Sequence, residues 1–330
     1  MRPFQLLQAE SAQDAVSKVS KHENARFLGG GTNLIDLMKE DVERPDFLVD
    51  VERLALSSIE ELSDGGLRLG ATASNAETAR DPRVRSRYPL LREAILSGAS
   101  PQLRNMATNA GNLMQRTRCY YFYDTTTPCN KRSPGAGCSA RDGYNRIHAI
   151  LGASEQCIAT HPSDMCVALA ALDATVQVRG PEGERAISIL DFHRLPEDHP
   201  EKDHHLAPDE LVWAIDLPSE GFASHNCYLK VRDRESYAFA LVSVAAGLRL
   251  SQGLIEEARV CLGGVAHKPW RAREVEVALL GREPSESLFE NAAELAVKEA
   301  RGYGHNDFKL TLTPKTITEA LIRAWGGTTL

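Results

Sequence analysis

Between Asn105 and Asp164 the chain reads NMATNAGNLMQRTRCYYFYDTTTPCNKRSPGAGCSARDGYNRIHAILGASEQCIATHPSD, and no other stretch constrains the fold as strongly. Four of the seven cysteines, Cys119, Cys129, Cys138 and Cys157, fall inside it. A Gly/Asn turn (Ala110-Gly111-Asn112) precedes them and His161-Pro162-Ser163-Asp164 follows. The stretch has little apolar periodicity and many Gly, Pro, Thr, Asn and Arg residues, and a loop of that length is uncommon in a compact domain unless it has a function. Nine, eight and eighteen residues separate successive cysteines, with no C-x-x-C. Structural zinc favours close pairs, so the spacing argues against a zinc ribbon or finger. Four thiolates on an irregular loop suit a [4Fe–4S] cluster, which takes one sulfur per iron. Pro128, Pro134, Gly135 and Gly137 let the backbone turn tightly around such a group. Spacing alone leaves three readings open: an iron–sulfur cluster, a zinc site of unusual spacing, and scattered free thiols.

With 330 residues and 42% hydrophobic content, the chain is long enough for two domains with real cores. A net charge of −7 argues against a general nucleic-acid or anionic-membrane role. No run approaches the roughly 20 apolar residues of a membrane span. The opening MRPFQLLQAESAQDAVSKV has no apolar core or small-residue cleavage site, so no signal peptide is expected and the cytoplasm is the default compartment. In that setting clustered cysteines favour metal over disulfides. From Pro101 to Ile150 seven Arg/Lys face only Asp124 and Asp142, a basic excess suited to thiolates, a pyrophosphate or an acidic partner, or simply to a solvated loop. The run Tyr120-Tyr121-Phe122-Tyr123 either walls a cofactor or packs the loop down.

Residues 11–22 carry apolar positions at helical spacing behind a Ser cap. Ala25–Leu28 reads as a strand running into Gly29-Gly30-Gly31-Thr32-Asn33, and LIDLMKE then reads as a helix. A strand, glycine turn and helix start expose backbone N–H groups at the positive end of a helix dipole, which suits a phosphate. This is neither the dinucleotide fingerprint nor a P-loop, and by itself a plain tight turn is the commoner explanation. Strands are expected at 47–51 and 66–71 and a helix at 89–97, ended by Gly98. Arg104–Asn112 reads as a second small-residue turn, so that two turns could each grip part of a pyrophosphate-bearing dinucleotide.

Beyond the insert, MCVALAALDA reads as an apolar helix with Cys166 in the core, TVQVRG and AISILDF as strands, and 211–217 as another. His193, His199, His204 and His205 lie among Asp, Glu and Pro without ligand spacing, the pattern of a solvated loop. Pro218–Gly221 marks a boundary. Three strands follow at 228–232, 238–250 and 257–262, then helices at 271–280, 285–301 and 315–325. Lys230, at a strand mouth, either reaches a ligand on the first domain or is solvated.

Together these residues resemble the FAD-binding subunits of the xanthine dehydrogenase/molybdenum hydroxylase family, over essentially the whole chain. The matching segments are Leu28-Gly29-Gly30-Gly31-Thr32-Asn33-Leu34, Arg104–Leu113, Pro162-Ser163-Asp164, Lys230-Val231-Arg232 and YAFALVSVA at 237–245. The family's Thr-x-Gly-Gly-Asn is here Thr108-Asn109-Ala110-Gly111-Asn112, with one glycine replaced. Most members lack the four-cysteine insert. Its spacing is most similar to the aldehyde oxidoreductase subgroup and more distantly to the 4-hydroxybenzoyl-CoA reductase β subunit, where it carries a [4Fe–4S] cluster.

The resemblance implies an α+β chain. A two-lobed FAD-binding domain of the vanillyl-alcohol oxidase (PCMH) type would span 1–221, with lobes of roughly 1–57 and 58–221 and the cysteine insert at 115–160. A CO-dehydrogenase-flavoprotein-like C-terminal α+β domain would span 222–330. It further implies FAD held by Arg26, Phe27, Leu28, Gly29, Gly30, Gly31, Thr32, Asn33, Leu34, Thr108, Gly111, Asn112, Thr117, Tyr123, Asp164 and Lys230. The cluster would be held by Cys119, Cys129, Cys138 and Cys157, and no residue would act as a catalytic base. Such a subunit works in a heterotrimer with a molybdenum-cofactor large subunit and a [2Fe–2S] small subunit, and it passes electrons through FAD to an external acceptor. Co-export with a partner would place it in the periplasm. The rival readings are a self-sufficient flavin oxidoreductase of the same fold and a non-redox zinc scaffold.

Overall fold

The computed structural model describes residues 1–327, so the last three residues of the expected second domain lie outside the described residues. The chain begins with three four-residue strands, β1 (Gln5–Gln8), β2 (Ala25–Leu28) and β3 (Phe47–Asp50), in a parallel sheet with β3 in the middle. Parallel neighbours need crossovers, supplied by helices α1 (Ala12–Lys21) and α2 (Leu34–Lys39). Ser11 caps α1 by accepting from the Asp14 N–H, and Ala12, Ala15, Val16 and Val19 form its buried stripe. In this order β2 is an edge strand, which leaves the glycine turn after it open on one side.

The second lobe holds an antiparallel sheet of β4 (Ile59–Glu61), β5 (Leu67–Gly70), β6 (Thr175–Gly180), β7 (Gly183–Ser188) and β8 (Leu211–Leu217), in the order β4-β5-β8-β6-β7. Short helices fill the span between β5 and the insert: α3 (Asn75–Arg80), α4 (Pro82–Arg87), α5 (Pro89–Ser97), α6 (Pro101–Met106) and α7 (Asn109–Leu113). Pro82, Pro89 and Pro101 each open a helix, because a first-turn residue needs no N–H partner. The turn expected at 104–112 is therefore two helix ends meeting at Ala107-Thr108. The Gly/Asn composition hid a helical turn that the Thr108 hydroxyl caps by accepting from the Gly111 N–H.

The insert is irregular, as expected. Its only helix is the single turn α8 (Tyr120–Tyr123), and Cys129 and Cys138 face each other in an isolated bridge. Next comes α9 (Asp164–Ala171), in which every residue is buried. The segment AISILDF is strand only as far as Ser188. The Ser188 hydroxyl then caps the turn α10 (Ile189–Phe192).

The C-terminal sheet is antiparallel, with β9 (Asn226–Val231), β10 (Val242–Ser251), β11 (Leu254–Gly263) and β12 (Trp270–Arg271) in the order β12-β11-β10-β9. It is followed by α11 (Arg273–Leu279), α12 (Glu286–Ala293), a 3-10 turn at Glu294–Val297 and α13 (Phe308–Trp325). Val244, Ala246 and Leu248 of β10 pack into the core formed with these helices, while Ala245 joins the core around α9. Burial on both faces explains why β10 reads as a continuous apolar run. β10 starts at Val242 rather than 238, because Tyr237 adopts a left-handed φ of 51°. The last helix starts seven residues before the expected 315, since burial of Lys309, Thr313 and Ile317 outweighs the break at Pro314. No helix among the described residues is long and apolar enough to cross a membrane.

Of the histidines placed in a solvated loop, only His199 and His205 are exposed. His193 is buried, with Nε2 on the Leu113 carbonyl at 2.9 Å, and it pairs with His204 in an isolated bridge. Burial pushes both imidazole pKa values down to about 4. In the unfolded chain they titrate near 6.5, so between pH 6.5 and 4 the unfolded state binds protons that the folded state refuses, and stability falls as pH falls. Each ring contributes up to roughly 3 kcal/mol of this loss. Urea midpoints measured across that window should drop with pH, and less steeply in His193→Gln. A flat profile would show that the rings are solvated.

Candidate functional site

The turn Gly29–Asn33 packs directly on the α6–α7 junction. A Cβ on Gly30 would lie 1.6 Å from the Met106 carbonyl oxygen, and one on Gly29 would lie 3.0 Å from Thr108 Oγ1. Gly31 has φ of +70°, which an L side chain rarely adopts. The close approach therefore requires bare backbone. Among the described residues, the N–H groups of Gly30, Gly31, Thr32 and Asn33 donate to no group of the chain. By contrast the N–H groups of Asn109, Ala110, Gly111 and Asn112 already reach Ala73 O, Ala71 O, Thr108 Oγ1 and Thr108 O. The first turn is open for a ligand and the second is internally satisfied.

Asn33 ties this turn to the insert, its Oδ1 accepting from the Arg116 N–H at 2.9 Å, while its buried Nδ2 has no partner. Arg26 is exposed, with Nη1 on its neighbour's carbonyl, and Phe27, Leu28 and Leu34 are half-buried around the turn. Asn112 is held by Asn75, Gln115 and Ser163. Tyr123 donates to Asp36 at 2.9 Å and accepts from Arg118 at 2.6 Å. Burial, reinforced by that carboxylate, pushes the Tyr123 hydroxyl pKa up. Thr117 is buried, its hydroxyl accepting from the Cys119 N–H at 3.3 Å.

All four insert cysteines line one cavity, whose empty space is about 280 Å³. None of the seven cysteines is in a disulfide. The Ala159 backbone N–H donates to the Cys157 sulfur at 3.4 Å, while the N–H groups of Phe122 and Arg141 bond the carbonyls of Cys119 and Cys138. Without a bound cation, burial pushes the Cys119 thiol up to about 12 and the Cys157 thiol to about 11. His148 Nε2 stands 3.1 Å from Cys119 Sγ, a contact that residue spacing does not reveal.

The basic excess of the insert is matched by carboxylates from elsewhere. Arg118 pairs with Asp36, Arg141 with Glu155, Arg146 with Asp233, and Arg116 with both Glu43 and Asp203. Buried Lys131 reaches Asp203 at 2.5 Å, and these cations hold the Asp203 carboxyl well below the usual range despite its burial. Five of the seven cations are thus paired with acids, while Arg104 and Arg132 donate to backbone carbonyls.

Between the insert and the C-terminal sheet lies a cleft lined by Arg118, Thr160, Asp164, Phe239 and Gly264 among others. The Arg118 guanidinium sits 5.2 Å from the Phe239 ring centroid. At the cleft floor Asp164 accepts from Lys230 Nζ at 2.8 Å and from the Tyr228 hydroxyl at 2.6 Å. Burial and that carboxylate push the tyrosine pKa well up. Lys230, which also donates to the Ser97 carbonyl, has only 4% of its side chain exposed, so it is not a solvated strand lysine. Asp164 and Lys230 are brought together, but as each other's partners. Behind them, a ring nitrogen of His161, one of His193 and Cys166 Sγ lie within 4.8 Å of one another, another grouping that sequence spacing does not reveal.

A sequence profile described as the FAD binding domain in molybdopterin dehydrogenase matches residues 2–220, and one described as the CO dehydrogenase flavoprotein C-terminal domain matches 227–324. The chain is 46% identical over 327 residues to the aldehyde oxidoreductase FAD-binding subunit PaoB of Escherichia coli K12, covering 98% of this chain and 99% of that protein. It is 29% identical over 295 residues to the glyceraldehyde dehydrogenase medium chain of Sulfolobus acidocaldarius, covering 88% and 85% of the two. A solved carbon monoxide dehydrogenase chain from Hydrogenophaga pseudoflava shares the fold, with a TM-score of 0.78 over 98% of both chains at 24% identity. The α+β arrangement of an FAD domain followed by a CO-dehydrogenase-type domain is the one found.

The buried ion pair makes a testable demand. Removing one partner leaves an uncompensated buried charge, so Lys230→Met and Asp164→Asn should each cost on the order of 3–5 kcal/mol in urea unfolding. The double variant should cost clearly less than the sum of the two. Additive losses would mean that the contact carries no coupling.

Proposed function

We propose that this chain, which belongs to the FAD-binding subunits of the molybdenum hydroxylases, is the electron-transfer subunit of an aldehyde oxidoreductase-type complex and carries both FAD and a [4Fe–4S] cluster. Convergence of four cysteines on one cavity, beside a turn with four unused N–H groups, is the observation that carries this reading. Gly30, Gly31, Thr32 and Asn33 would hold the pyrophosphate of FAD by main chain, with the orphaned Asn33 Nδ2 as a further donor. Thr108, Gly111 and Asn112 would act mainly by shaping that turn, since the Gly111 and Asn112 N–H groups are used within it and Thr108 supplies their acceptors. Bound FAD supplies redox chemistry that accepts electrons singly or in pairs. Arg118, Tyr123 and Asp164 would then set the polarity of the cleft beside it.

The donor set favours a polynuclear cluster over zinc. A single zinc with Zn–S bonds of about 2.3 Å would hold four sulfurs about 3.8 Å apart. Among the described residues, the one trio whose ligand atoms all lie within 4.8 Å is His161, Cys166 and His193, so no three cavity sulfurs are gathered that closely. A [4Fe–4S] cubane takes one outward-bonded thiolate per iron and so needs sulfurs further apart than a single zinc does, and the Ala159 N–H on Cys157 suits an anionic thiolate.

A self-sufficient flavin oxidase needs a free general base at its substrate pocket. The cleft's carboxylate, Asp164, is engaged by Lys230 and Tyr228, which favours a subunit that receives electrons from [2Fe–2S] clusters of a small partner and leaves substrate oxidation to a molybdenum-bearing large one. FAD would pass those electrons to an external acceptor.

Anaerobically purified protein should show flavin bands with a broad shoulder near about 400 nm, and should co-purify with two other chains. Cys129→Ser is expected to lower iron content while FAD stays bound. Gly30→Ala, whose new methyl collides with the Met106 carbonyl, should lower FAD content while iron stays. Iron-free wild-type protein, or turnover of an organic substrate by the chain alone, would overturn the assignment.

A further inference from the structure

Resting on the iron–sulfur reading of the cysteine cavity, we propose that His148 donates a hydrogen bond from Nε2 to the Cys119 sulfur and so raises the reduction potential of the cluster bound there. The contact is 3.1 Å between two buried atoms 29 residues apart. A thiolate that ligates iron can only accept, so the proton of this contact must lie on Nε2. Nδ1, on the far side of the ring, is buried and makes no hydrogen bond to another side chain.

What fixes the ring is its backbone. The His148 carbonyl accepts from Lys309 Nζ at 2.9 Å and from Asn306 Nδ2 at 3.3 Å. Lys309 is fully buried, and its ammonium also reaches the Gly264 carbonyl at 2.7 Å. Asn306 further donates to the Ala149 carbonyl at 3.0 Å. Residues 306–309 belong to the C-terminal domain, so that domain positions a group aimed at a cysteine of the other. Tyr120 and Tyr121 flank the imidazole with ring centroids 6.4 and 6.3 Å away, and both residues of the N–H···S contact are buried.

A hydrogen bond to a ligating sulfur withdraws charge that the reduced cluster carries in excess, so it stabilises the reduced state and raises the potential. Electrons balance without a further reactant, because the proton stays on His148 throughout and the bond only strengthens on reduction. His148 is thus a positioning and tuning residue rather than a ligand.

The test is potentiometric titration of the cluster in the holoprotein, followed by electron paramagnetic resonance, with iron and flavin counted in each preparation. His148→Phe keeps an aromatic ring without the donor and should lower the midpoint potential at unchanged iron content. His148→Gln places an amide N–H at similar reach and should restore most of the difference. Where Phe loses iron, the wild type labelled with 15N-histidine decides: the reduced cluster should show a 15N coupling that His148→Gln abolishes. Equal potentials in wild type and Phe at full iron content, or no coupling in the labelled protein, overturn the proposal while leaving the cluster in place. Wild-type protein without iron overturns the cluster reading itself, and this inference falls with it.

Discussion

A carboxylate and an ammonium buried at the N-terminus of α9 set the relation between the two domains. Taking both charges out of water is costly unless every donor and acceptor is used. Here Asp164 receives Lys230 and Tyr228 from β9, while Lys230 and Arg232 both donate to the Ser97 carbonyl at the end of α5. Gly98 follows at once, where a Cβ would stand 3.2 Å from the Asp164 carboxylate. The Arg104 guanidinium closes the knot on the Gly98 carbonyl at 2.6 Å. Because α9 is buried on all sides, with α5 against it and the C-terminal sheet against its other flank, any slip of β9 would strand these charges. The cleft beside the insert is built on this point.

The insert shows how an irregular segment is made rigid without regular ladders. Its backbone groups turn to side chains: Arg132 donates to the carbonyls of Tyr121 and Phe122, and Asn145 to those of Ala140 and Tyr303. Its cations find carboxylates at 36, 43, 155, 203 and 233, in both domains and in lobe one. Isolated exposed pairs contribute little. The buried Lys131–Asp203–Arg116 network is different, since each charge there depends on the others. Rigidity of that kind is what a ligand set for a redox centre needs, because small displacements of sulfur or of N–H donors change its potential.

Much of the fold was legible wherever one residue pattern answered one demand. Strands β2, β3, β8 and β9, the Ser-capped α1 and the apolar α9 follow from periodicity and caps. Long-range pairing was not legible. His193 looks solvated among Asp, Glu and Pro, yet the fold buries it, because its partner is a carbonyl eighty residues away, and His204 is half-buried beside it. The α6–α7 junction looked like a turn because Gly111 and the asparagines are poor helix formers, while its stabilisation comes from a single threonine cap and contacts to Ala71 and Ala73. Cysteine spacing identified which four thiols belong together. The histidine beside them could not be found, since nothing in sequence separates a ring aimed at sulfur from one packed in a core.

The two small-residue turns, alike on paper, divide their labour. One keeps four N–H groups free; the other commits those of residues 109–112 internally and lends its Met106 carbonyl as the surface against which Gly30 rests. A free donor set is costly to leave buried without an acceptor, so the open turn survives on an edge strand only because the closed one holds its backbone from behind. This asymmetry also explains why alanine suffices at position 110. Its N–H is committed to the Ala71 carbonyl, and a methyl group there meets no requirement for close approach. Glycine is demanded most strictly at Gly30, where backbone meets backbone and an added Cβ would lie 1.6 Å from the Met106 carbonyl oxygen.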